Sequence, residues 1–434
     1  MMAHEAELGT LLNANVREIQ ISGIRKFSTL ASRYPDAVSL TIGQPDFPTP
    51  AHVKEAGMRA IQENHTTYTP NAGLPALRAA ASRFVADKYG LHYNPDDEVI
   101  VTNGASEAID ITLRTLLSEG DEVILPGPVY PGYEPIVRLC GAKPVFVDTR
   151  KNQFRLTAAL IAEHLTPRTR CLILPYPSNP TGSVLGLQDL AEIAALLRDK
   201  QVFVLSDEIY SELVYVNPGN GNGNGDGDGD GDGDGDGELA SGNVGGVGGR
   251  HASIASLPGM RDRTIVINGL SKSHSMTGWR IGFTFAPAYI SQQMLKVHQY
   301  NATCASSVSQ YAAIEALTAG ANDAAPMREE YQKRRDYCYQ RLQAMGLDVV
   351  LPNGAFYLFP SIAPYGLSSF EFAAQLLEQE RLALVPGSAF SDFGEGHLRL
   401  SYAYKLPVLV EGLNRLERFL GSAYLRDAAD RLRG

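Results

Sequence analysis

The chain has 434 residues, 44% of them hydrophobic, enough to build two substantial cores and too much for a disordered or disulfide-stapled protein. Its formal net charge is −10, but residues 218–249 hold six aspartates and Glu238 with no Lys or Arg, and without them the charge is −3. The acidity therefore belongs to one segment and identifies no partner of the folded body. No apolar run is long enough to span a bilayer, and residues 1–8 lack a charged region followed by an apolar stretch. Cys140, Cys171, Cys304 and Cys338 are scattered without metal-ligand spacing. Together these predict a cytoplasmic protein with reduced thiols, no metal site, and neither membrane nor nucleic acid as a partner.

In chain order, the first strong element is a buried strand over Glu98 to Val101, followed by Thr102-Asn103-Gly104-Ala105-Ser106-Glu107 and an apolar-periodic helix. Small residues at a helix start let backbone N–H groups reach an anion, so Ala105 and Ser106 read as a phosphate cradle; a plain glycine turn into a helix fits this segment equally well.

Next, Val202 to Leu205 predicts a second buried strand, delivering Ser206, Asp207, Glu208 and Tyr210 to its carboxyl end, where open α/β sheets bind ligands. An ionised Asp207 there would keep a pyridine nitrogen protonated. Alone, it serves as well for a helix cap.

Residues 218–249 follow, with Asn-Gly and then Asp-Gly alternation and no apolar content able to drive ordering; a disordered surface loop is expected. The Asp-Gly run superficially resembles a calcium loop. However, no register beginning on an aspartate of the run places a glutamate at the twelfth position, where the bidentate ligand would stand.

Thr264 to Ile267, four β-branched residues, predicts a strand covered on both faces, and Lys272 sits just past its end among Ser271, Ser273 and Ser275. A buried lysine amine there can form a Schiff base with an aldehyde, while Arg280 offers a planar fork of donors for a phosphate. A lone lysine is usually a solvated surface charge. Here an amine, a carboxylate and an anion cradle arrive together at strand ends, which is what pyridoxal phosphate requires. Later, His397 to Tyr402 alternates as a strand carrying Arg399.

These stretches, with S-L-T-I-G-Q-P-D-F (Ser39 to Phe47), Y-T-P-N-A-G-L-P-A-L-R (Tyr68 to Arg78), P-Y-P-S-N-P-T-G (Pro175 to Gly182) and S-D-E-I-Y (Ser206 to Tyr210), resemble the pyridoxal-phosphate-dependent class I/II aminotransferases of fold type I. The resemblance covers nearly the whole chain apart from residues 218–249. It implies an α/β fold with a large domain over 43–295, built on a mostly parallel mixed sheet covered by helices, and a smaller α/β domain over 296–434 that the segment 1–42 joins.

By the same resemblance, Lys272 carries the cofactor and shuttles the substrate proton, and Asp207 faces the pyridine nitrogen. Asn179 and Tyr210 bond the ring hydroxyl, and Tyr130 stacks on the ring. Ala105, Ser106, Ser271 and Arg280 hold the phosphate. Arg399 clamps the substrate carboxylate with Gly43 and Asn179. Tyr68 matches a tyrosine that reaches the neighbouring subunit's phosphate, implying a homodimer with shared sites. The substrates implied are an L-amino acid, glutamate foremost, and a 2-oxo acid. Arg17 to Ser28, Pro126 to Ile136 and Asn268 to Phe283 further resemble the branch of the family that serves the acetylated route to lysine and diaminopimelate. Aspartate, aromatic or broad specificity is the alternative, and a carbon–sulfur lyase would share the same core residues.

Overall fold

The computed structural model describes residues 8–215 and 250–425. The loop expected over 218–249 lies outside the described residues. A seven-stranded sheet forms the centre, in the order β2 (Val99–Thr102), β8 (Gly282–Phe285), β7 (Thr264–Gly269), β6 (Phe203–Asp207), β5 (Thr169–Leu174), β3 (Glu122–Gly127) and β4 (Lys143–Asp148). Only β8 is antiparallel to its neighbours, so the remaining strands all point their carboxyl ends to one edge.

The sequence forms this sheet because β2, β3 and β7 are buried at every position, as strands with helices on both faces must be. β4, at the margin, is mostly half-exposed and carries Lys143 and Pro144, residues that discourage further pairing. Ile100, Leu125, Ile173, Leu205 and Ile267 pack one face against the helix Ala105–Leu116. Val204 and Leu172 pack the other, against the helix Leu187–Leu197.

Two expected strands begin one residue later than the apolar runs that predicted them. Glu98 lies just before β2, its carboxylate accepting from the Asn94 backbone N–H at 2.7 Å and pairing with Arg261 at 2.7 Å. Val202 precedes β6, and β7 continues past Ile267 to Gly269.

The remaining strands form two smaller sheets. β11 (Val385–Pro386), β12 (Leu398–Ser401) and β9 (Tyr357–Leu358) are antiparallel, while β1 (Val38–Ser39) pairs in parallel with β10 (Leu382–Ala383). Phe27 and Leu40 from the start of the chain share a buried cluster with Phe356, Leu376, Leu400 and Leu413, and Tyr210 and Leu213 join it from just beyond β6. No helix of the described residues is long and apolar enough to cross a membrane.

Candidate active site

The shared carboxyl edge of the central sheet delivers most of the predicted residues one strand end at a time, and the two smaller sheets supply the rest. β6 ends on Asp207, with Tyr210 in the turn that follows. β7 ends on Gly269 and runs into the short helix Leu270–Ser273, which holds Ser271 and Lys272. β2 leads through Asn103 and Gly104 to Ala105 and Ser106 at the start of their helix. The segments after β5 and β3 supply Asn179 and Tyr130, β1 leads to Gly43, and β12 supplies Arg399. All of these, with Arg280, line one cavity of about 740 Å³. Tyr68 does not line it and is 86% exposed, so within a single chain it takes no part in the site.

Lys272 Nζ donates to the Gly43 carbonyl at 2.5 Å and stands 5.6 Å from the Tyr210 ring centroid. Burial, then the positive charges of Arg399 and Arg280, push its pKa down to about 8, against the opposing pull of Asp207. Asp207 is buried too, and burial pushes its carboxyl up to about 6. The Tyr133 hydroxyl, donating to Oδ2 at 2.6 Å, and the Ile209 backbone N–H, donating to Oδ1 at 3.2 Å, limit that rise. Tyr210 shares a 2.8 Å hydroxyl contact with Tyr357, and burial pushes its pKa well above the ordinary phenol value.

Arg399 is 2% exposed. Nη1 donates to Asn179 Oδ1 at 2.9 Å and Nη2 to the Thr41 carbonyl, whereas Nε has no hydrogen-bond partner among the described residues. The guanidinium lies 4.5 Å from the Tyr357 ring centroid and 5.0 Å from that of Phe390. No acidic side chain of the described residues forms an ion pair with it. A buried cation held by neutral acceptors beside a cavity is a seat for a carboxylate.

Also lining the cavity, Arg280 donates from Nη1 to the Thr277 carbonyl at 3.1 Å and from Nη2 to the Asn103 carbonyl at 3.3 Å. Gly104 makes that approach feasible: its φ is +78°, and a Cβ there would stand 2.4 Å from Arg280 Nη2. No side chain caps the helix that begins at Ala105, which leaves its first turn and positive dipole end to an anion.

Sequence reasoning missed Tyr133, Tyr357 and Thr41. Tyr133 lies inside P-G-P-V-Y-P-G-Y-E, but nothing in that string tells which tyrosine faces a carboxylate across the chain. Tyr357 also explains Gly43, where a Cβ would come within 2.8 Å of the Tyr357 hydroxyl oxygen.

The profile of the class I and II aminotransferases matches residues 35–415, and the chain belongs to that family, whose members are pyridoxal-phosphate-dependent transaminases. It is 57% identical over 410 residues to a probable N-acetyl-LL-diaminopimelate aminotransferase of Bacillus subtilis (strain 168), covering 94% of this chain and 96% of that protein. It is 40% identical over 402 residues to an aspartate aminotransferase of Pyrococcus abyssi (strain GE5 / Orsay), covering 92% and 95%. The crystal structure of an aromatic aminotransferase from Pyrococcus horikoshii OT3 superposes with a TM-score of 0.81 at 40% identity, over 92% of this chain and all of that one.

The residues present fit pyridoxal phosphate. Asp207 is a buried carboxylate that a protonated ring nitrogen would relieve, and the Arg280 wall offers donors without an anion to receive them. Lys272 presents an amine whose lowered pKa leaves a larger neutral fraction to meet an aldehyde.

Proposed function

We propose that this aminotransferase moves an amino group from glutamate to a 2-oxo acid, with L-2-acetamido-6-oxopimelate as acceptor and N-acetyl-LL-diaminopimelate as product, in cytoplasmic lysine and diaminopimelate synthesis. The observation that carries the substrate is the 57% identity, over nearly all of both chains, to the Bacillus subtilis protein of that name. Geometry supports a long acceptor. The cavity around Lys272 adjoins a second, of about 1150 Å³, with Ile24, Ser28 and Tyr130 in both walls and Gln20 and Arg25 further out. That space gives an acetamide and a second carboxylate both room and polar partners.

In this reading Lys272 Nζ would take the proton from the substrate α-carbon and pass it to C4′, the cofactor's aldehyde carbon. Bound pyridoxal phosphate supplies the aldehyde for the amine and a ring that draws electrons from the α-carbon. Asp207 would hold a negative charge at the ring nitrogen, Asn179 and Tyr210 would hydrogen-bond the ring hydroxyl, and Tyr130 would stack on the ring. Ala105, Ser106, Ser271 and Arg280 receive the phosphate. Arg399, braced by Asn179 and Thr41, turns the substrate carboxylate into a fixed pivot beside Gly43.

The reading extends to a homodimer in which the exposed Tyr68 enters the neighbouring site, and to domains over 43–295 and 296–434, with 1–42 joining the latter. The packing of Phe27 and Leu40 against Phe356 and Leu413 supports that last assignment.

The test is to supply purified holoenzyme with glutamate and a panel of oxo acids and follow 2-oxoglutarate. Turnover of L-2-acetamido-6-oxopimelate well above oxaloacetate and aromatic oxo acids is the expected result. Failure with that acceptor beside rapid turnover of oxaloacetate or an aromatic oxo acid would replace it with aspartate or aromatic specificity.

A further inference from the structure

One buried titratable side chain outside the cavity is used by none of this chemistry. His298, on the helix Ala288–Ala302, is 0% exposed, and both ring nitrogens face oxygen. Nδ1 stands 2.9 Å from Glu107 Oε1, and Nε2 stands 2.9 Å from the Asn71 carbonyl oxygen. A carbonyl only accepts, so Nε2 carries a proton. Glu107 Oε2, the other carboxylate oxygen, accepts from the Asn103 backbone N–H at 2.6 Å and from its side-chain amide at 3.0 Å. Burial acts to raise the Glu107 pKa, yet the bonds from His298 and Asn103 hold it below the ordinary carboxylate value.

Each end of this buried pair leads somewhere. Asn103 opens the turn whose carbonyl receives Arg280 and whose Gly104 begins the uncapped helix. Asn71 belongs to the Tyr68 to Arg78 stretch, and its side chain donates to the Thr303 carbonyl at 2.7 Å, just past the helix that carries His298. Glu107 itself lies in the first turn of the cradle helix, where a free carboxylate would repel an incoming phosphate. His298 and Asn103 occupy both of its oxygens.

We propose that His298 is a positioning residue for phosphate recognition: its imidazolium neutralises Glu107 and locks the 102–107 turn to the Tyr68-bearing segment in the shape that receives the phosphate. The proposal rests on the phosphate reading of the Ala105, Ser106 and Arg280 wall. The experiment titrates apo-protein with pyridoxal phosphate and, separately, with pyridoxal, which has the aldehyde but no phosphate. Unmodified protein that binds the two equally would overturn the wall's assignment itself.

With that preference established, His298→Leu should lose about tenfold or more in affinity for pyridoxal phosphate while its pyridoxal affinity holds. Adding Glu107→Gln should recover part of the loss, because the unpaired buried charge is gone. Unchanged pyridoxal phosphate affinity in His298→Leu, an equal loss for both ligands, or no recovery in the double variant would each overturn the proposal. Should His298→Leu fail to fold, ring ¹⁵N resonances of His298 in unmodified protein at neutral pH decide it. Two protonated nitrogens support the proposal and a neutral ring refutes it.

Discussion

The Tyr133 hydroxyl donates a 2.6 Å hydrogen bond to Asp207 Oδ2, with both side chains buried. Tyr133 in turn meets Tyr130 edge-on, their ring centroids 5.6 Å apart. The carboxylate assigned to the pyridine nitrogen is thus aimed by a phenol that packs on the ring assigned to cover the cofactor.

Removing that phenol should shift a titration. The Tyr133 bond acts to lower the Asp207 pKa, so Tyr133→Phe should raise it above its present value of about 6. The acid limb of pyridoxal phosphate binding to apo-protein should then move to higher pH, by roughly one unit for the loss of a bond to a charged group. An acid limb that stays in place would separate Tyr133 from Asp207 ionisation.

Lys272→Ala should keep pyridoxal phosphate by noncovalent contacts yet lose transamination by at least about 10²-fold, the usual contribution of a positioned general base. Borohydride reduction should then label no side chain, whereas unmodified protein is labelled at Lys272. Full activity in the variant, or labelling elsewhere in the unmodified chain, would remove Lys272 from its assigned place.

Arg399→Lys keeps the charge but gives up the planar fork that spans Asn179 Oδ1 and the Thr41 carbonyl. The expected cost is about 10–100-fold in kcat/KM for the amino donor, with cofactor affinity little changed. A variant that loses cofactor and substrate together would place Arg399 nearer the ring than to the substrate carboxylate.

A separate prediction concerns stability. His52 bridges Glu315 at 3.0 Å and Asp323 at 2.8 Å, joining the helix Ala51–Gln62 to Ser307–Leu317 and to the start of Ala324–Ala344. Burial acts to lower its pKa, but the bonds to the two carboxylates prevail and raise it. A raised folded-state pKa means the contribution is fully present below the unfolded pKa, about 6.5, and disappears as pH climbs through the folded value. The side chain is 37% exposed, so solvent screening keeps the effect below about 1 kcal/mol. The thermal midpoint gap between wild type and His52→Ala should be widest at acidic pH and close toward alkaline pH; a gap that widens with pH would reverse the assignment.

Three strands of the central sheet, β2, β6 and β7, were legible because strands covered on both faces spell continuous apolar runs, and Ser106, Asp207 and Lys272 come soon after those runs. Arg399 was legible through the alternation around it and the family resemblance. Tyr133, Tyr357 and His298 were not, because their roles arise from contacts across 74, 147 and 191 positions of chain that no local pattern encodes. The starts of β2 and β6 slipped for a related reason: hydrogen bonding sets a strand's first residue, and hydrophobicity does not report it.

The distribution of the site along the chain also orders its assembly during translation. Apart from Tyr68's proposed reach into a neighbour, every group assigned to the cofactor has been made by residue 280, whereas the guanidinium that grips substrate arrives only with β12. A ribosome therefore makes every side chain assigned to the vitamin more than a hundred codons before the substrate's anchor, while β8, which joins the β2 and β7 walls of the pocket, is made between the two.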